Sequence, residues 1–531
     1  MNDGAMQPFA LTLEKFLDHA AKWHPNTEVV TACISGETTR VGYAGLRTRA
    51  LQVSALLASF GVQAGQHVAT LAWNSQSHVE VWYGTMGMGA VCHTLNPRLT
   101  AEQLAAMLVQ SEARVLAVSA DLIPLAKAVC ALSPLVADVI VIDGDASQWR
   151  SSKNSLNVHG LEEACSVGGE VSTLWGDFDE TAPCGLCFTS GTTGAPKGVT
   201  YTHRSSYLHT LRLLQADVIG LTAADVVLPV VPMFHANAWG LPFAAPAAGA
   251  KLVLPGRVAD GASLARLIRD EDVTIAVGVP TVWVGLADHL DKVGGELPSL
   301  KRIIVGGAQM PPALMDRIER RLGVAVQTSW GMTELSPSGT FASPHDTERR
   351  PSLSGRPAVG VDLLLTDEFG KTLPAQRNTE GHLRVKGAAV IARYFGDSES
   401  AVDKNGWFDT GDLARIDDKG NLTITGRSKD LIKSGGEWIN PAEIEAVIGA
   451  IPEVSFAAVI GRADPKWGER PVLLVEMRDT LALSDEELLK PLIGRVASWW
   501  VPDDVVRLAQ MPLAPTGKVD KMRLRLDYGG N

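Results

Sequence analysis

The chain contains 531 residues, of which 46% are apolar, 20% charged and 6% aromatic. This composition is that of a globular protein, and it excludes the disordered, collagen-like and disulfide-rich classes. The 48 Lys and Arg residues against 59 Asp and Glu give a formal charge of −11, and no dense basic cluster is present, so nucleic acid is not expected as a partner.

The N-terminal sequence and the hydropathy pattern give no sign of export or membrane insertion. The first residues, MNDGAMQPF, lack a basic start followed by an apolar stretch, and no apolar run reaches the roughly 18 residues that span a bilayer. The six cysteines are scattered and do not form a disulfide framework. Because no second CxxC or His pair completes a metal site, Cys184 and Cys187 are predicted to pack structurally. We therefore expect a cytoplasmic protein without a transmembrane segment.

Short β-type runs alternate with helix-like segments over the first 350 or so residues. Thr100 to Gln103 has the pattern of a capping box, which predicts that a helix begins before Leu104–Val109. The β-type runs are Val115–Val118, Val139–Ile142, Val226–Val231 and Ile303–Val305. This βαβ alternation predicts an α/β fold with parallel sheets, and the lack of a repeat of 20–50 residues excludes solenoids and propellers.

The pattern changes twice in the last third of the chain. After about residue 350, short alternating segments separated by turns predict a small β-rich subdomain. After Gly426–Asp430, a helix-like run at Pro441–Ile448 is followed by strand-like runs at Ala457–Ile460 and Val472–Val475, and Ser484 opens a further helix. The sequence therefore predicts a large N-terminal domain over 1–426 and a small α+β domain over 427–531.

A glycine-rich loop follows an apolar strand at Thr189–Gly198. Its sequence, TSGTTGAPKG, combines three glycines, four hydroxyls and a lysine. Glycines let backbone N–H groups turn toward an anion, and hydroxyls and a lysine add donors and charge. The spacing differs from the GxxxxGK[ST] of the P-loop. On composition alone, both a phosphate-binding loop and a flexible turn remain open.

Five motifs, in order over about 330 positions, resemble those of the adenylate-forming (ANL) enzymes, which include acyl-CoA synthetases, adenylation domains and luciferases. They are Thr189–Gly198, Trp330–Glu334, Trp407–Asp412, Gly426–Asp430 and Pro515–Lys518. Two further stretches, Val230–Trp239 and Asp430–Trp438, are most similar to the medium- and long-chain fatty acyl-CoA synthetases. The resemblance implies an ATP-dependent ligase.

The resemblance assigns the first part of an ATP site. It implies that Glu334 and Thr189 bind Mg²⁺, whose ligands are hard oxygens. Thr333 would contact the α-phosphate. Trp330 stands where Tyr is common, and its ring would stack on adenine. The further residues implied to contact the nucleotide are Ser190, Gly191, Thr192, Thr193, Gly194, Lys197, Gly307, Ala308 and Gly331.

Three charged residues complete the adenylation site by resemblance. Asp412 would accept hydrogen bonds from the ribose hydroxyls, and Arg427 would lie near the ribose or the phosphates. Lys518 would bridge the substrate carboxylate and the α-phosphate and stabilise charge in the transition state.

The family performs its two half-reactions by rotating the small domain, and Lys429 is the expected hinge. After rotation, Lys433 to Trp438 would face the thioester site, where coenzyme A is the co-substrate. No residue stands out as the base for the CoA thiol, and His235 is the candidate by position. The same residue also stands where relatives shape the substrate tunnel.

The acyl pocket is predicted from His235–Gly249, in which small apolar side chains leave room for a substrate chain. By resemblance, the indole of Trp239 gates this tunnel. The predicted function is an ATP- and Mg²⁺-dependent acid:CoA ligase for a small-molecule carboxylic acid, a medium- or long-chain fatty acid. Three alternatives remain open: a ligase for aryl, arylalkanoic, cinnamic-type or short thioether acids, a luciferase-like monooxygenase, and a carrier-loading module or non-catalytic nucleotide-binding scaffold. Related long-chain enzymes are dimers, which suggests a homodimer.

Overall fold

The computed structural model describes residues 5–150, 156–166, 175–189, 196–346, 350–478, 483–514 and 518–530. The strands in these ranges form four sheets. They are β1 (Glu28–Ala32), β2 (Thr38–Gly42), β3 (His67–Leu71), β4 (Val91–Thr94), β5 (Val115–Ser119), β6 (Asp138–Ile142), β7 (Asn157–Gly160), β8 (Pro183–Phe188), β9 (Gly198–Thr202), β10 (Val226–Pro229), β11 (Lys251–Leu254), β12 (Ile275–Gly278), β13 (Arg302–Val305), β14 (Ala325–Gly331), β15 (Ser338–Phe341), β16 (Arg356–Pro357), β17 (Val361–Thr366), β18 (Glu380–Gly387), β19 (Phe408–Ile416), β20 (Leu422–Arg427), β21 (Ile432–Ser434), β22 (Glu437–Ile439), β23 (Val454–Asp464), β24 (Gly468–Met477) and β25 (Asp504–Leu508).

The helices lie mostly between the strands of the first two sheets. The α-helices are α1 (Glu14–Trp23), α2 (Tyr43–Ser59), α3 (Gln76–Gly87), α4 (Ala101–Ser111), α5 (Ile123–Leu132), α6 (Ser147–Arg150), α7 (Leu161–Ser166), α8 (His203–Leu213), α9 (Leu241–Ala248), α10 (Gly261–Asp270), α11 (Pro280–Val293), α12 (Pro312–Leu322), α13 (Pro441–Ile448), α14 (Asp485–Leu489) and α15 (Lys521–Tyr528). None of the helices in the described ranges is long and apolar enough to cross a bilayer.

Two large sheets form the N-terminal part of the molecule. One has seven strands in the order β7-β6-β5-β3-β4-β8-β9, all parallel except the β8–β9 pair. The other has nine strands in the order β16-β15-β14-β13-β12-β10-β11-β1-β2 and is parallel from β14 to β1. Parallel neighbours require crossover connections, and the intervening helices supply them. The parallel α/β prediction is therefore confirmed.

The largest core cluster contains side chains from both large sheets and from the helices beside them. Its central aromatic contacts join Trp82 and Tyr83 of α3 to Phe243 of α9, with ring centroids 5.7 and 5.8 Å apart. Fully buried aromatic side chains contribute large areas of apolar burial. This core fixes α9, and therefore the turn that precedes it, against the rest of the fold.

Two smaller sheets follow. Strands β17 to β20 form an antiparallel sheet, which matches the predicted β-rich subdomain. The last sheet has the order β22-β21-β24-β23, with β25 parallel to β24. Its own core clusters contain residues from α13, α14 and α15. The change of sheet occurs between the end of β20 at Arg427 and the start of β21 at Ile432.

Local sequence signals account for many of the element boundaries. The capping box predicted at Thr100 is present, since its hydroxyl accepts from the N–H of Gln103 and the Gln103 side chain bonds back. Ser484 and Glu487 form a second box, at the start of α14. The predicted helix at Pro441–Ile448 coincides with α13. The strand predicted over Val226–Val231 ends earlier, at Pro229.

Candidate active site

The carboxyl end of β8 leads directly into the glycine-rich loop. The residue after the strand, Thr189, donates its backbone N–H to the carbonyl of Lys197 at 2.9 Å, just before β9 begins. This bond closes the neck of the loop. Ligands of open α/β sheets bind at the carboxyl ends of parallel strands, where the neck lies. Five residues predicted to bind phosphate, Ser190, Gly191, Thr192, Thr193 and Gly194, fall outside the described residues.

Thr333 and Glu334 are buried in a short 3-10 turn that follows β14. The carbonyl of Thr333 accepts a hydrogen bond from the hydroxyl of Tyr201 at 2.9 Å. The carbonyl of Glu334 accepts from the N–H of Ile391, and its Oε1 accepts from the hydroxyl of Tyr394, both at 2.9 Å. Side chains and backbone from two other parts of the fold therefore fix the direction in which the Glu334 carboxylate points.

The indole of Trp330 is held through its ring nitrogen and by close packing against Gly339. Its Nε1 donates a 2.9 Å hydrogen bond to Oδ2 of Asp412. A Cβ on Gly339 would lie 2.6 Å from the indole ring, so only glycine permits this approach. Position 331 also requires glycine, because a Cβ there would lie 2.3 Å from the carbonyl oxygen of Pro337. The ring is thus fixed at the edge of the site.

Asp412 is the acidic centre of the site. It is 2% exposed and lies opposite Arg427 in the β19–β20 ladder, with Oδ1 2.7 Å from Nε of Arg427. Burial raises the pKa of the Asp412 carboxyl, while Arg427, Trp330 and Lys518 oppose the shift. No aligned hydrogen bond reaches the buried Oδ1 within the described part of the chain. A ligand hydroxyl would satisfy this acceptor.

Lys518 reaches the same site from the end of the chain. Its Cε lies 3.8 Å from the position that a Cβ on Gly307 would occupy. Burial, followed by the charge of Arg427, lowers the pKa of the Lys518 ammonium to about 8, and Asp412 and Glu334 act in the opposite direction. The structure therefore brings this lysine together with the residues predicted to bind the nucleotide.

Residues at the carboxyl end of β13 form the floor of the site. Gly307 has a φ of +79°, a conformation that glycine adopts readily, and Ala308 is exposed. A Cβ on Gly306 would lie 2.9 Å from Cη2 of Trp239. The indole of Trp239 therefore packs directly over the glycine pair.

The turn that carries Trp239 is left-handed. Ala236, Asn237, Ala238 and Trp239 have φ values of 45°, 54°, 47° and 53°, and Gly240 continues the turn at 77°. The left-handed conformation costs roughly 1–2 kcal/mol for an ordinary residue, and such strain is concentrated at functional sites. The thiol of Cys187 donates to the side-chain Oδ1 of Asn237 at 3.3 Å, which anchors the turn to β8.

His235 lies immediately before this turn and is half-buried. Burial, followed by the charges of Lys518 and Arg98, lowers the pKa of its imidazole to about 4. At neutral pH the ring is therefore uncharged and a weak base. This property fits a residue that shapes the tunnel better than one that removes a proton from a thiol.

The residues predicted for the CoA step lie on the last sheet. Lys433 and Trp438 face each other across the β21–β22 hairpin, with Nζ 5.3 Å from the indole ring, and both are exposed. Lys429 lies in the short turn that joins β20 to this sheet. In this arrangement Lys518, and not the hairpin pair, reaches Gly307.

Sequence reasoning missed two tyrosines that contact the site, Tyr201 and Tyr394. The hydroxyl of Tyr394 bonds to Glu334, as described above for its Oε1. The ring of Tyr394 also lies 4.7 Å from Nζ of Lys197, which is a cation–π contact. Neither tyrosine belongs to a motif whose spacing indicates chemistry. In a single sequence each is indistinguishable from a core tyrosine, so no signal could have found them.

The residues present fit Mg²⁺ and ATP. The set of Thr189 hydroxyl and Glu334 carboxylate offers hard oxygen ligands, and Mg²⁺ is commonly held by one or two carboxylates together with substrate phosphates. In the described ranges no group of three or more His, Cys, Asp or Glu residues is placed to hold a metal alone. Oδ1 of Asp412, which pairs with Arg427 but accepts no aligned hydrogen bond from the described residues, provides an acceptor of the kind that a ribose hydroxyl needs.

Two family models match the chain. The model described as "AMP-binding enzyme" matches residues 17–395, and "AMP-binding enzyme C-terminal domain" matches residues 443–518. Among similar proteins, 3-methylmercaptopropionyl-CoA ligase of Ruegeria lacuscaerulensis is 41% identical, over 99% of this chain and 98% of that protein. Medium-chain-fatty-acid–CoA ligase of Ectopseudomonas oleovorans is 39% identical, over 99% and 97%. Long-chain-fatty-acid–CoA ligase of Thermus thermophilus is also 39% identical, over 98% and 96%.

Solved structures agree in fold. The anthranilate CoA ligase AuaEII in complex with anthranoyl-AMP gives a TM-score of 0.87 at 24% identity, with 98% of both chains covered. ATP-bound MatB from Rhodopseudomonas palustris gives 0.83 at 25% identity, with 98% and 99% covered. From its family models and its full-length relatives, the chain belongs to the AMP-binding enzyme family.

Proposed function

We propose that this protein is an ATP- and Mg²⁺-dependent acid:CoA ligase that forms an acyl-AMP and then acyl-CoA, AMP and pyrophosphate. The observation that carries the proposal is the convergence of Lys518 with Gly307, within electrostatic range of Asp412 and Glu334. A cation supplied by the end of the chain thus meets the proposed nucleotide site. A non-catalytic scaffold would not need this arrangement.

The first half-reaction activates a carboxylate, which is a poor acyl donor because its leaving group would be oxide. One carboxylate oxygen attacks the α-phosphorus of ATP, the bond to the β-phosphate oxygen breaks, and pyrophosphate leaves. Lys518 lies between carboxylate and α-phosphate in this proposal and stabilises the negative charge that develops there. Glu334 and Thr189 would hold Mg²⁺, which supplies charge neutralisation for the phosphates when bound.

Recognition of the nucleoside rests on three residues. Trp330 offers a flat ring for the adenine, fixed by its bond to Asp412. Asp412 offers the buried Oδ1 to a ribose hydroxyl, and Arg427 lies beside it. Thr333 lies on the same turn as Glu334, one residue before it, and would contact the α-phosphate.

The proposed acid is a medium- or long-chain fatty acid. The turn at Ala236–Gly240 and helix α9 present mostly small or apolar side chains, and two full-length relatives are fatty-acid–CoA ligases. A second candidate is a short thioether acid, because a relative at 41% identity is a 3-methylmercaptopropionyl-CoA ligase. Fold alone does not fix the substrate.

The second half-reaction requires the small domain to rotate, and we propose domains of 1–426 and 427–531 with the hinge near Lys429. Contacts on either side of Lys429 support this boundary. The Ser428 hydroxyl lies 3.2 Å from Nδ1 of His382 on β18, whereas Asp430 pairs with Arg525 of α15 at 2.6 Å. Across this single residue, the contacts of the chain therefore change from strand β18 to helix α15.

After such a rotation, the exposed hairpin of Lys433 and Trp438 would face coenzyme A. Its cation and aromatic ring are suited to an anionic, partly apolar ligand. With an imidazole pKa of about 4, His235 is not proposed as the base for the CoA thiol. Instead, it is proposed to shape the junction between the acyl and pantetheine passages.

The test is pyrophosphate release from ATP across C2–C18 fatty acids, 3-(methylthio)propanoate and aryl carboxylates, with and without CoA. We expect acid-dependent release in the wild type, loss of release by at least a hundredfold in Lys518→Ala, and thioester only when CoA is added. The matched control is Lys301→Ala, an exposed lysine on a surface loop. CoA-independent light or CO₂ release would instead support a luciferase-like oxygenase. Release that does not depend on Lys518 would contradict the proposal.

Two further points belong to the proposal. We place the enzyme in the cytoplasm, where ATP and CoA are available and where the six free cysteines stay reduced. We propose a homodimer by similarity to long-chain acyl-CoA synthetases. Sedimentation equilibrium tests the second point, and a monomer at micromolar concentration would contradict it.

A further inference from the structure

The segment Ile391–Phe395, which follows β18, contacts the proposed metal site and lies outside the five family motifs. Within it, the hydroxyl of Tyr394 donates to Oε1 of Glu334 at 2.9 Å. The same tyrosine ring lies 4.7 Å from Nζ of Lys197 and 6.5 Å, edge to face, from the ring of Phe408. Tyr394 therefore contacts both the acidic residue of the site and the lysine at the end of the glycine-rich loop.

Backbone hydrogen bonds tie the segment to the same two places. The N–H of Ile391 donates to the carbonyl of Glu334 at 2.9 Å, and the N–H of Phe395 donates to the carbonyl of Gly198 at 2.8 Å. These bonds fix Tyr394 between them, since they lie three residues before it and one residue after it. A side chain on a backbone segment that is anchored on both sides is preorganised, and it loses little freedom when a ligand binds.

Only one oxygen of the Glu334 carboxylate accepts a hydrogen bond from the described part of the protein. Oε1 accepts from Tyr394, and in the described ranges no residue donates a hydrogen bond to Oε2. A carboxylate that is fixed through one oxygen presents the other in a defined direction. Such outer partners of metal-ligating carboxylates orient the ligand and tune its affinity for metal.

We propose that Tyr394 is a positioning residue for the adenylation reaction, which orients Glu334 so that Oε2 is presented to the divalent cation that accompanies ATP. The inference rests on the proposed function, in which Glu334 binds Mg²⁺. Burial and the nearby Glu334 raise the pKa of the Tyr394 phenol, so the hydroxyl remains a donor over the whole working range of pH.

The test is the substitution Tyr394→Phe, which removes the hydroxyl and retains the ring that contacts Lys197 and Phe408. We expect the Mg²⁺ concentration for half-maximal pyrophosphate release to rise about tenfold, as is typical for loss of a partner of a metal ligand. The kcat at saturating Mg²⁺ should stay within about twofold. The Mg²⁺-dependent affinity for a non-hydrolysable ATP analogue, measured by calorimetry, should fall by a similar factor, which provides a readout independent of turnover.

The matched control is Tyr207→Phe on α8. This tyrosine is also half-buried and stacks on Phe16 at 4.4 Å, and the substitution removes the same hydroxyl outside the site. We expect wild-type Mg²⁺ dependence for this variant. Thermal unfolding of both variants shows whether the effect of Tyr394→Phe is a general loss of stability.

A parallel variant, Glu334→Gln, separates failure of this inference from failure of the proposed function. A raised Mg²⁺ requirement in both variants, with no further rise in the double variant, supports the inference, because the two residues then act as one unit. A raised requirement in Glu334→Gln alone overturns the role of Tyr394 and leaves the metal assignment intact. Unchanged Mg²⁺ dependence in Glu334→Gln overturns the metal assignment itself. A lower kcat for Tyr394→Phe with unchanged Mg²⁺ dependence overturns the inference in favour of a structural role.

Discussion

The indole Nε1 of Trp330 donates a hydrogen bond of 2.9 Å to Oδ2 of Asp412, across 82 positions of sequence. The two residues belong to different sheets, since Trp330 lies on β14 and Asp412 on β19. Tyrosine is common at the first position in the family, and its phenolic hydroxyl is absent here. The indole N–H therefore fixes the ring that is proposed to stack on adenine and the carboxylate that is proposed to bind ribose relative to each other.

Removal of this bond should weaken ATP binding. In Trp330→Phe the apolar ring remains but the donor is lost, and we expect KM for ATP to rise about tenfold with kcat reduced less than threefold. The reason is that a hydrogen bond to an ionised group contributes about 1.5 kcal/mol, and 1.4 kcal/mol corresponds to a factor of ten. Steady-state pyrophosphate release at varied ATP measures both constants.

The matched control for that prediction is Trp82→Phe. Trp82 is fully buried, and its Nε1 donates to Nε2 of His78 at 3.0 Å within α3. Its replacement should lower the melting temperature while KM for ATP stays unchanged. An equal rise of KM in both variants would show that the effect comes from general destabilisation.

The pH dependence of adenylation should follow Lys518. Its ammonium has a pKa lowered to about 8, and in the proposed reaction the protonated form stabilises the transition state. We therefore expect kcat/KM for ATP to be level below pH 8 and to fall about tenfold for each unit above it. The bound phosphates favour the ammonium, so the alkaline limb of kcat should lie at higher pH than that of kcat/KM.

Replacement by Lys518→Arg distinguishes this assignment from titration elsewhere. A guanidinium stays protonated over the whole range, so the alkaline limb should disappear from the residual activity, even though the altered geometry lowers its level. An unchanged limb near pH 8 in Lys518→Arg would assign the titration to a different group. The measurement is pyrophosphate release between pH 6 and 10 at fixed ionic strength.

Much of the fold was predictable because its signals are local. Strand β5 is buried at every position, and a continuous apolar run is the pattern of a parallel strand covered on both faces. Helix α13 begins with an Asn cap followed by proline and ends before Gly449, and all three signals can be read from the sequence. The extent of β23 and β24 was underestimated, because their ends are half-exposed and lack apolar alternation.

The site was predictable only where motifs exist. The resemblance predicts that Lys518 lies near Asp412 and Glu334, and both carboxylates oppose the lowering of the Lys518 pKa. In contrast, the bond between Tyr394 and Glu334 joins residues 60 positions apart, and nothing in the local sequence marks that tyrosine. Likewise, the left-handed turn at Ala236–Gly240 contains alanine and tryptophan, neither of which favours positive φ, so tertiary contacts must impose it.

The proposed hinge yields a test that separates the two half-reactions. Lys429→Pro restricts backbone rotation at the residue where contacts change from His382 on one side to Arg525 on the other. We expect acid-dependent pyrophosphate release to stay within about threefold of wild type while thioester formation falls at least tenfold. Lys429→Ala, which keeps the backbone free, should leave both rates near wild type. Equal loss of both half-reactions in the proline variant would argue for misfolding, and no loss would place the hinge elsewhere.

The contact between Trp239 and Gly306 predicts how acyl specificity can be changed. A Cβ at position 306 would lie 2.9 Å from Cη2 of the indole and 2.6 Å from Oγ of Ser329, so Gly306→Ala must displace the ring. Trp239→Ala removes the ring and should raise kcat/KM for long acids relative to short ones, by roughly a factor of four for each additional buried methylene.

A matched alanine substitution completes the test of the acyl tunnel. In Gly285→Ala, on α11, the added Cβ meets only a backbone nitrogen at 3.9 Å, so the chain-length profile should remain that of the wild type. Gly306→Ala, in contrast, should shift the profile, because the displaced indole changes the volume open to the acid. If kcat and KM were unchanged for every chain length in Trp239→Ala, the indole could not be the gate, and the acid would have to enter past another part of the wall.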